Sequence, residues 1–169
     1  MKDITRFSIV LFLICMISAL LLAFIFDIAE PRIQEQRRLE EKKAIQGVLP
    51  LVPDTIEKIQ EQDLVFYKAK DAQGNLIAYV FIVEGYGYSS DIKTVVSLTP
   101  EGNIIKAKIL EQLETPGIGS QIIGEDFLGQ FKDKHFDDDF DTITGATISS
   151  TAVIDSIKEK ALEVLNHER

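Results

Sequence analysis

The sequence predicts an α+β domain, a mainly antiparallel sheet with packed helices, carried behind a single N-terminal transmembrane helix. Three observations predict it. Residues 7–26 form a run without charge. Two pairs of β-rich segments follow, each joined by turn residues, and the C-terminal stretch repeats its apolar residues at helical spacing.

Residues 1–6, with Lys2 and Arg6, read as a short cytoplasmic tail. The twenty residues from Phe7 to Phe26 are dominated by Leu, Ile, Phe, Val and Ala, long enough to span a bilayer. No small-x-small cleavage site follows before Asp27, so the run reads as an uncleaved anchor. Cys15 sits inside it behind the bulky Ile14, which fits a membrane-buried thiol better than a lipid-attachment site. From 27 to 46 the signs of charge interleave, as in a stalk helix, with Pro31 at a first-turn position or a kink. Gly47-Val48-Leu49-Pro50 ends that helix, and residues 47–169 suffice for one domain with its own core.

Within that domain, Leu64 to Lys70 and Leu76 to Glu84 flank Ala72-Gln73-Gly74-Asn75, and Ile92 to Thr99 and Asn103 to Leu110 flank Pro100-Glu101-Gly102. Each pair reads as a hairpin. Beyond Ile148, the residues Ile154, Ile157, Ala161, Val164 and Leu165 recur on one helical face, which places Thr147 at or next to a helix N-terminus. There, orphan N–H groups and the helix dipole favour an anion. Two glycine-rich loops, Gly85-Tyr86-Gly87-Tyr88 and Glu114-Thr115-Pro116-Gly117-Ile118-Gly119, lie between these elements, and by composition both read as plain turns.

The chemistry-bearing stretch is Asp141-Thr142-Ile143-Thr144-Gly145-Ala146-Thr147. By residue type alone it is either a strand-to-helix turn capped by Thr147 or a phosphate site with a hydroxyl nucleophile at its end. It resembles the flavinylation motif of the FMN-binding domain family. The resemblance implies that Thr147 carries FMN through a phosphoester made by a flavin transferase, that the transferase reads Asp141, and that Thr144, Gly145 and Ala146 shape the turn below the phosphate. The Glu114, Thr115, Pro116, Gly117, Gly119 loop is similar to a signature of the G subunit of Rnf-type complexes and of the C subunit of sodium-pumping NADH:quinone reductases. This implies a backbone approach to the flavin ring. The tyrosine loop matches less well, since Tyr88 and Ser89 follow where the family carries small residues.

The resemblance implies a covalent FMN electron carrier in a membrane complex that couples ferredoxin and NAD oxidoreduction to an ion gradient. Its partners would be the other subunits of that complex and, during maturation, the transferase. No side chain is expected to act as a catalytic acid or base. Two other readings stay open: a flavinylated domain of another extracytoplasmic electron-transfer chain, and a membrane-anchored sensor without a redox role. Arg32, Arg37, Arg38, Lys42 and Lys43 behind the span favour a cytoplasmic domain by the positive-inside rule. The resemblance implies the opposite side, because the transferase works outside the cytoplasmic membrane, and long domains translocate largely regardless of charge.

Composition excludes several functions. Residues 44–169 carry 11 Lys/Arg against 21 Asp/Glu, which repels nucleic acid and anionic lipid. One cysteine permits no intramolecular disulfide and no cysteine-ligated cluster. Asp137, Asp139 and Asp141 alternate as in a calcium loop, but Thr142 and Ile148 stand where an EF-hand needs Gly and Glu, so no metal site is expected. His135 and His167 have no partner at ligand spacing.

Overall fold

The computed structural model describes residues 2–50, 53–61 and 64–168. Helix α1 (Lys2–Val48) is continuous, with Pro31 inside it, so the expected span and stalk are one helix. Its best apolar window has a mean hydropathy of 3.2 and no part of it is buried, which makes it long and apolar enough to cross a membrane. The chain divides into two compact units, one ending at Glu40 and one starting at Glu41. The last two turns of α1 therefore belong to the C-terminal unit.

That unit is built on a five-stranded antiparallel sheet of β1 (Thr55–Glu61), β2 (Leu64–Lys70), β3 (Leu76–Tyr86), β4 (Asp91–Leu98) and β5 (Ile104–Glu111), in sequence order. The β2–β3 turn forms because the Asp71 carboxylate accepts the N–H groups of Gln73 and Asn75 at 2.9 and 2.7 Å, the local chemistry that makes Asp a turn residue. Both expected hairpins are present. Strand β1 was not expected: Thr-Ile-Glu-Lys-Ile-Gln-Glu spaces its two isoleucines three apart, so it shows no period of two. It lies at a sheet edge with its side chains mostly exposed, which leaves charge as its defence against pairing with another chain.

Each face of the sheet is covered by a helix. Helix α3 (Thr147–His167) packs Val153, Ile157, Ala161 and Val164 onto Phe66, Phe81, Ile92 and Val96. A short helix α2 (Glu125–Leu128) and flanking 3-10 turns close the same core with Phe127 and Phe131. On the opposite face Ala44, Ile45 and Val48 of α1 sit against Val80 and Val95. The Ser97 hydroxyl donates to the Val48 carbonyl at 2.6 Å, satisfying an acceptor that the end of a helix otherwise leaves open.

Burying Ile45 and Val48 contributes about 1.5–3 kcal/mol each. A C-terminal unit started at Leu49 should therefore be less stable than one started at Glu41 by about 3 kcal/mol or more, even though it keeps every strand. Urea unfolding of the two chains measures this, and equal midpoints would contradict the packing of α1 on the sheet.

Candidate functional site

Three chain segments meet at one end of the sheet: the turn after β3, the loop after β5, and the start of α3. Between them lies a cavity of about 550 Å³, lined by Tyr88, Glu114, Thr115, Ile118, Gly119, Gly145, Ala146, Thr147, Ile148 and Ser149. That is within the range of small-cofactor sites, roughly 300–1,000 Å³.

The first wall is the N-terminus of α3. The residue before the helix is Ala146, with φ −123° and ψ 32°, and no side chain caps it. Thr147 is the first helical residue, so the reading of Thr147 as the cap does not hold. Its side chain is exposed and engages no hydrogen-bond partner among the described residues. The N–H groups of Thr147, Ile148 and Ser149 find no acceptor there either, while Ser150 is the first to donate back, to Ala146 at 3.0 Å. Three N–H groups at the positive end of a 21-residue helix, beside an unengaged hydroxyl, form a site for a phosphate.

The loop that leads into the helix is held from behind. The Ser150 hydroxyl donates to the Ala146 carbonyl at 2.6 Å and accepts the Ile143 N–H at 3.1 Å. The Gln130 side-chain amide pairs with the backbone of Asp141, accepting its N–H at 2.7 Å and donating to its carbonyl at 3.0 Å. This leaves the Asp141 carboxylate and the Thr144 side chain exposed, outside the cavity. Gly145 has φ +85°, a conformation costly for any residue with a Cβ, and faces open space.

The second wall is built around Glu114. Glu114 is 4% exposed. The carboxylate accepts the N–H groups of Tyr88, Ser89 and Ser90 at 3.2, 2.9 and 3.1 Å, and the Ser149 hydroxyl at 2.6 Å. Burial pushes its pKa up, but the bonds from Ser149, Ser89, Ser90 and Tyr88 outweigh burial and hold it below the ordinary value of 4.5. Glu114 is thus an anion. Two glycines make room for it: a Cβ on Gly87 would stand 2.6 Å from Glu114 Oε1, and one on Gly119 would stand 2.8 Å from Glu114 Oε2.

Of the residues singled out in the sequence, the cavity gathers Glu114, Thr115, Gly119, Gly145, Ala146 and Thr147, whereas Pro116, Gly117, Asp141 and Thr144 lie off it. Tyr88 lines the cavity and Tyr86 does not. Sequence reasoning missed Ile118 and Ile148, which supply apolar wall, and Gln130, Ser149 and Ser150, which act through hydrogen bonds. The adjacent serines 149 and 150 carried the available signal, since two small polar residues on the buried side of an amphipathic helix need local partners. Apolar wall, phosphate-binding N–H groups and a free hydroxyl together suit FMN.

The glycines should respond differently to substitution in the unit that starts at Glu41. Gly119→Ala drives its Cβ against Glu114 and to 3.1 Å from Ser149 Oγ, and should cost about 1–3 kcal/mol. Gly145→Ala meets no atom and should cost only the left-handed strain, roughly 1–2 kcal/mol. Urea unfolding gives both values. Amide NMR separates the mechanisms, since only the Gly119 variant should shift the Tyr88, Ser89 and Ser90 resonances.

Comparison with known proteins agrees with this geometry. A family model described as the FMN-binding domain matches residues 87–162, and one described as the RnfG N-terminal region matches residues 1–48. The chain is 33% identical over 163 residues to the G subunit of the proton-translocating ferredoxin:NAD(+) oxidoreductase complex of Clostridium ljungdahlii, covering 89% of this chain and 85% of that one. It is 27% identical to the G subunit of the ion-translocating oxidoreductase complex of Methanosarcina acetivorans, covering 92% of each. The fold is shared with the C subunit of the Na(+)-translocating NADH-quinone reductase of Parabacteroides distasonis, at a TM-score of 0.61 and 17% identity, over 79% of this chain and 94% of that one. It is also shared with the Shewanella oneidensis NqrC, at a TM-score of 0.53 and 20% identity, over 73% and 74%. The chain therefore belongs to the G-subunit family of ion-translocating oxidoreductase complexes, with an FMN-binding domain behind its membrane helix.

Proposed function

We propose that this chain is the covalent-FMN electron carrier of a membrane-bound Rnf-type complex that couples ferredoxin:NAD oxidoreduction to ion translocation. The observation that carries the reading is the exposed, unengaged hydroxyl of Thr147 beside three orphan N–H groups at the cavity wall. Thr147 Oγ is the attachment atom: it attacks the FMN phosphorus of an activated flavin donor, a flavin dinucleotide, so that the ester P–O bond forms as the phosphoanhydride P–O bond breaks, the other nucleoside monophosphate leaves, and the hydroxyl proton passes to solvent. A flavin transferase makes the bond during maturation. It reads the exposed Asp141 carboxylate on a backbone pinned by Gln130, with Thr144 exposed beside it.

When bound, FMN supplies one- and two-electron transfer chemistry. The chain's own part is to bind, orient and shield. The first turn of α3 holds the phosphate charge, Ala146, Ile118 and Ile148 offer apolar wall to the ring, and Tyr88 stands at the rim where an aromatic face can stack. Tyr88, Ile118 and Ile148 are at least half exposed, at 68%, 50% and 57%, which leaves the site within reach of the redox partners in the complex. The covalent link keeps the cofactor from dissociating, which matters for a domain that faces the outside of the cytoplasmic membrane, the side where the transferase works.

Thr147→Ala should abolish covalent flavin and leave the fold intact, with a stability change within about 0.5 kcal/mol because the side chain caps nothing. Denaturing gels viewed under ultraviolet light, followed by peptide mass mapping, decide this. A fluorescent band surviving in the variant, or an adduct at Thr144, Ser149 or Ser150, would remove Thr147 from the role. For sidedness, protease added to intact spheroplasts should digest the flavin domain. Digestion only after the membrane is broken would place the domain in the cytoplasm.

A further inference from the structure

We propose that Glu114 is a positioning residue for the flavin: its buried carboxylate clamps the turn after β3, the loop after β5 and the start of α3 into one cavity, and supplies a fixed negative charge that lowers the flavin's midpoint potential. The inference rests on the FMN reading above and goes beyond it, since that reading gives Glu114 no role.

The clamp follows from the connectivity. Glu114 belongs to the loop after β5, its three N–H donors belong to the turn after β3, and its hydroxyl donor belongs to α3. Three consecutive N–H groups converging on one acceptor form an anion nest, and the protein fills this nest with its own side chain. Around it, the Ser90 hydroxyl accepts the Leu113 N–H at 2.8 Å, which ties the two loops at a neighbouring point, and the Gln112 side chain accepts the Glu114 N–H at 2.6 Å within the loop after β5. Glycine at 87 and at 119 is explained by this carboxylate alone among the polar groups they meet, apart from Ser149, which is its partner. Tyr88 and Ser149, two of the residues Glu114 holds, themselves line the cavity.

The charge follows from the donors. Every group that reaches the carboxylate is an N–H or O–H, and its depressed pKa keeps it ionised throughout the physiological range. Placing an added electron near a buried anion is unfavourable, and less screened there than at the surface. Glu114→Gln keeps the shape, removes the charge, and turns an amide N–H toward donors it cannot accept from.

The test uses the full-length protein in detergent, prepared both without flavin and loaded with FMN. In the flavin-free protein the amides of Tyr88, Ser89 and Ser90 should exchange with deuterium as slowly as those of β3, although they lie in a surface turn. Glu114→Gln should speed exchange at these three by about tenfold or more, the equivalent of losing one charged hydrogen bond, with the β3 and β4 amides still protected. In the loaded protein the flavin that the variant carries should show a higher midpoint potential than that of the wild type. Rapid exchange at 88–90 in the wild type, no acceleration in the variant, or a potential equal to or below that of the wild type would each overturn the proposal. Should Glu114→Gln not fold, Ser149→Ala removes the 2.6 Å bond and keeps the charge: faster exchange at 88–90 supports the clamp and unchanged exchange overturns it. A protein that takes up no FMN would refute the function proposed above, and the flavin-free exchange comparison would still decide the clamp.

Discussion

The end of the sheet that holds the cavity depends on one buried ion. Removing a carboxylate from water costs several kcal/mol even after relaxation, so Glu114 is tolerable there only because four donors surround it. Hydrogen bonds to a charged group contribute about 1.5–3 kcal/mol each, enough for the set to outweigh desolvation. The direction of the pKa shift records the same balance. Once the carboxylate is fixed, much of the surrounding sequence is constrained. The turn after β3 must present consecutive N–H groups, positions 87 and 119 must lack a Cβ, and α3 must begin with a small hydroxyl residue on its inner side.

The opposite face of the sheet meets a different constraint. Val80 and Val95 are fully buried on the side away from α3, and the last two turns of α1 cover them. The helix that carries the apolar span thus ends as part of the soluble core. Ser97 completes the arrangement by taking the Val48 carbonyl, so the helix stops against the sheet with its final acceptor satisfied. The boundary between apolar anchor and folded domain therefore falls within a single helix, at Glu40 and Glu41.

Much of this was legible in the sequence because the signals are local. Asp71 and Asn75 mark the β2–β3 turn by chemistry contained within five residues, and α3 shows its buried face through a helical period. Strand β1 was not legible, since an edge strand with exposed faces needs no apolar alternation. The last turns of α1 looked like a charged stalk because their apolar positions, Ala44, Ile45 and Val48, are few and sit among Glu41, Lys42 and Lys43. The site divides the same way. Gly145, Ala146 and Thr147 form a contiguous motif and lie together at the cavity. The resemblance implied a close approach of Gly119 to a ring and gave no sign of its second neighbour: like Gly87, it lies against Glu114, which is 5 residues from one and 27 from the other. A long-range contact of that kind leaves no periodicity to read.

The electrostatics of the site also change scale once the contacts are known. From composition, the acidic excess of the domain opposes negative charge on a cofactor while the α3 dipole favours it. Surface charges more than a Debye length away, about 10 Å in 0.1 M salt, are largely screened, so the domain's excess is the weaker influence. What remains are two local elements of opposite sign: the free N–H groups of α3, suited to the phosphate, and the Glu114 anion, whose own donors are all engaged. A phosphate seated at the helix end would offset the positive field there, about half an elementary charge, and leave little of it for a ring. Glu114 has no such counter-charge, because dipoles solvate an ion without cancelling it. Among the residues that line the cavity the one full charge is therefore negative, and Glu114 carries it.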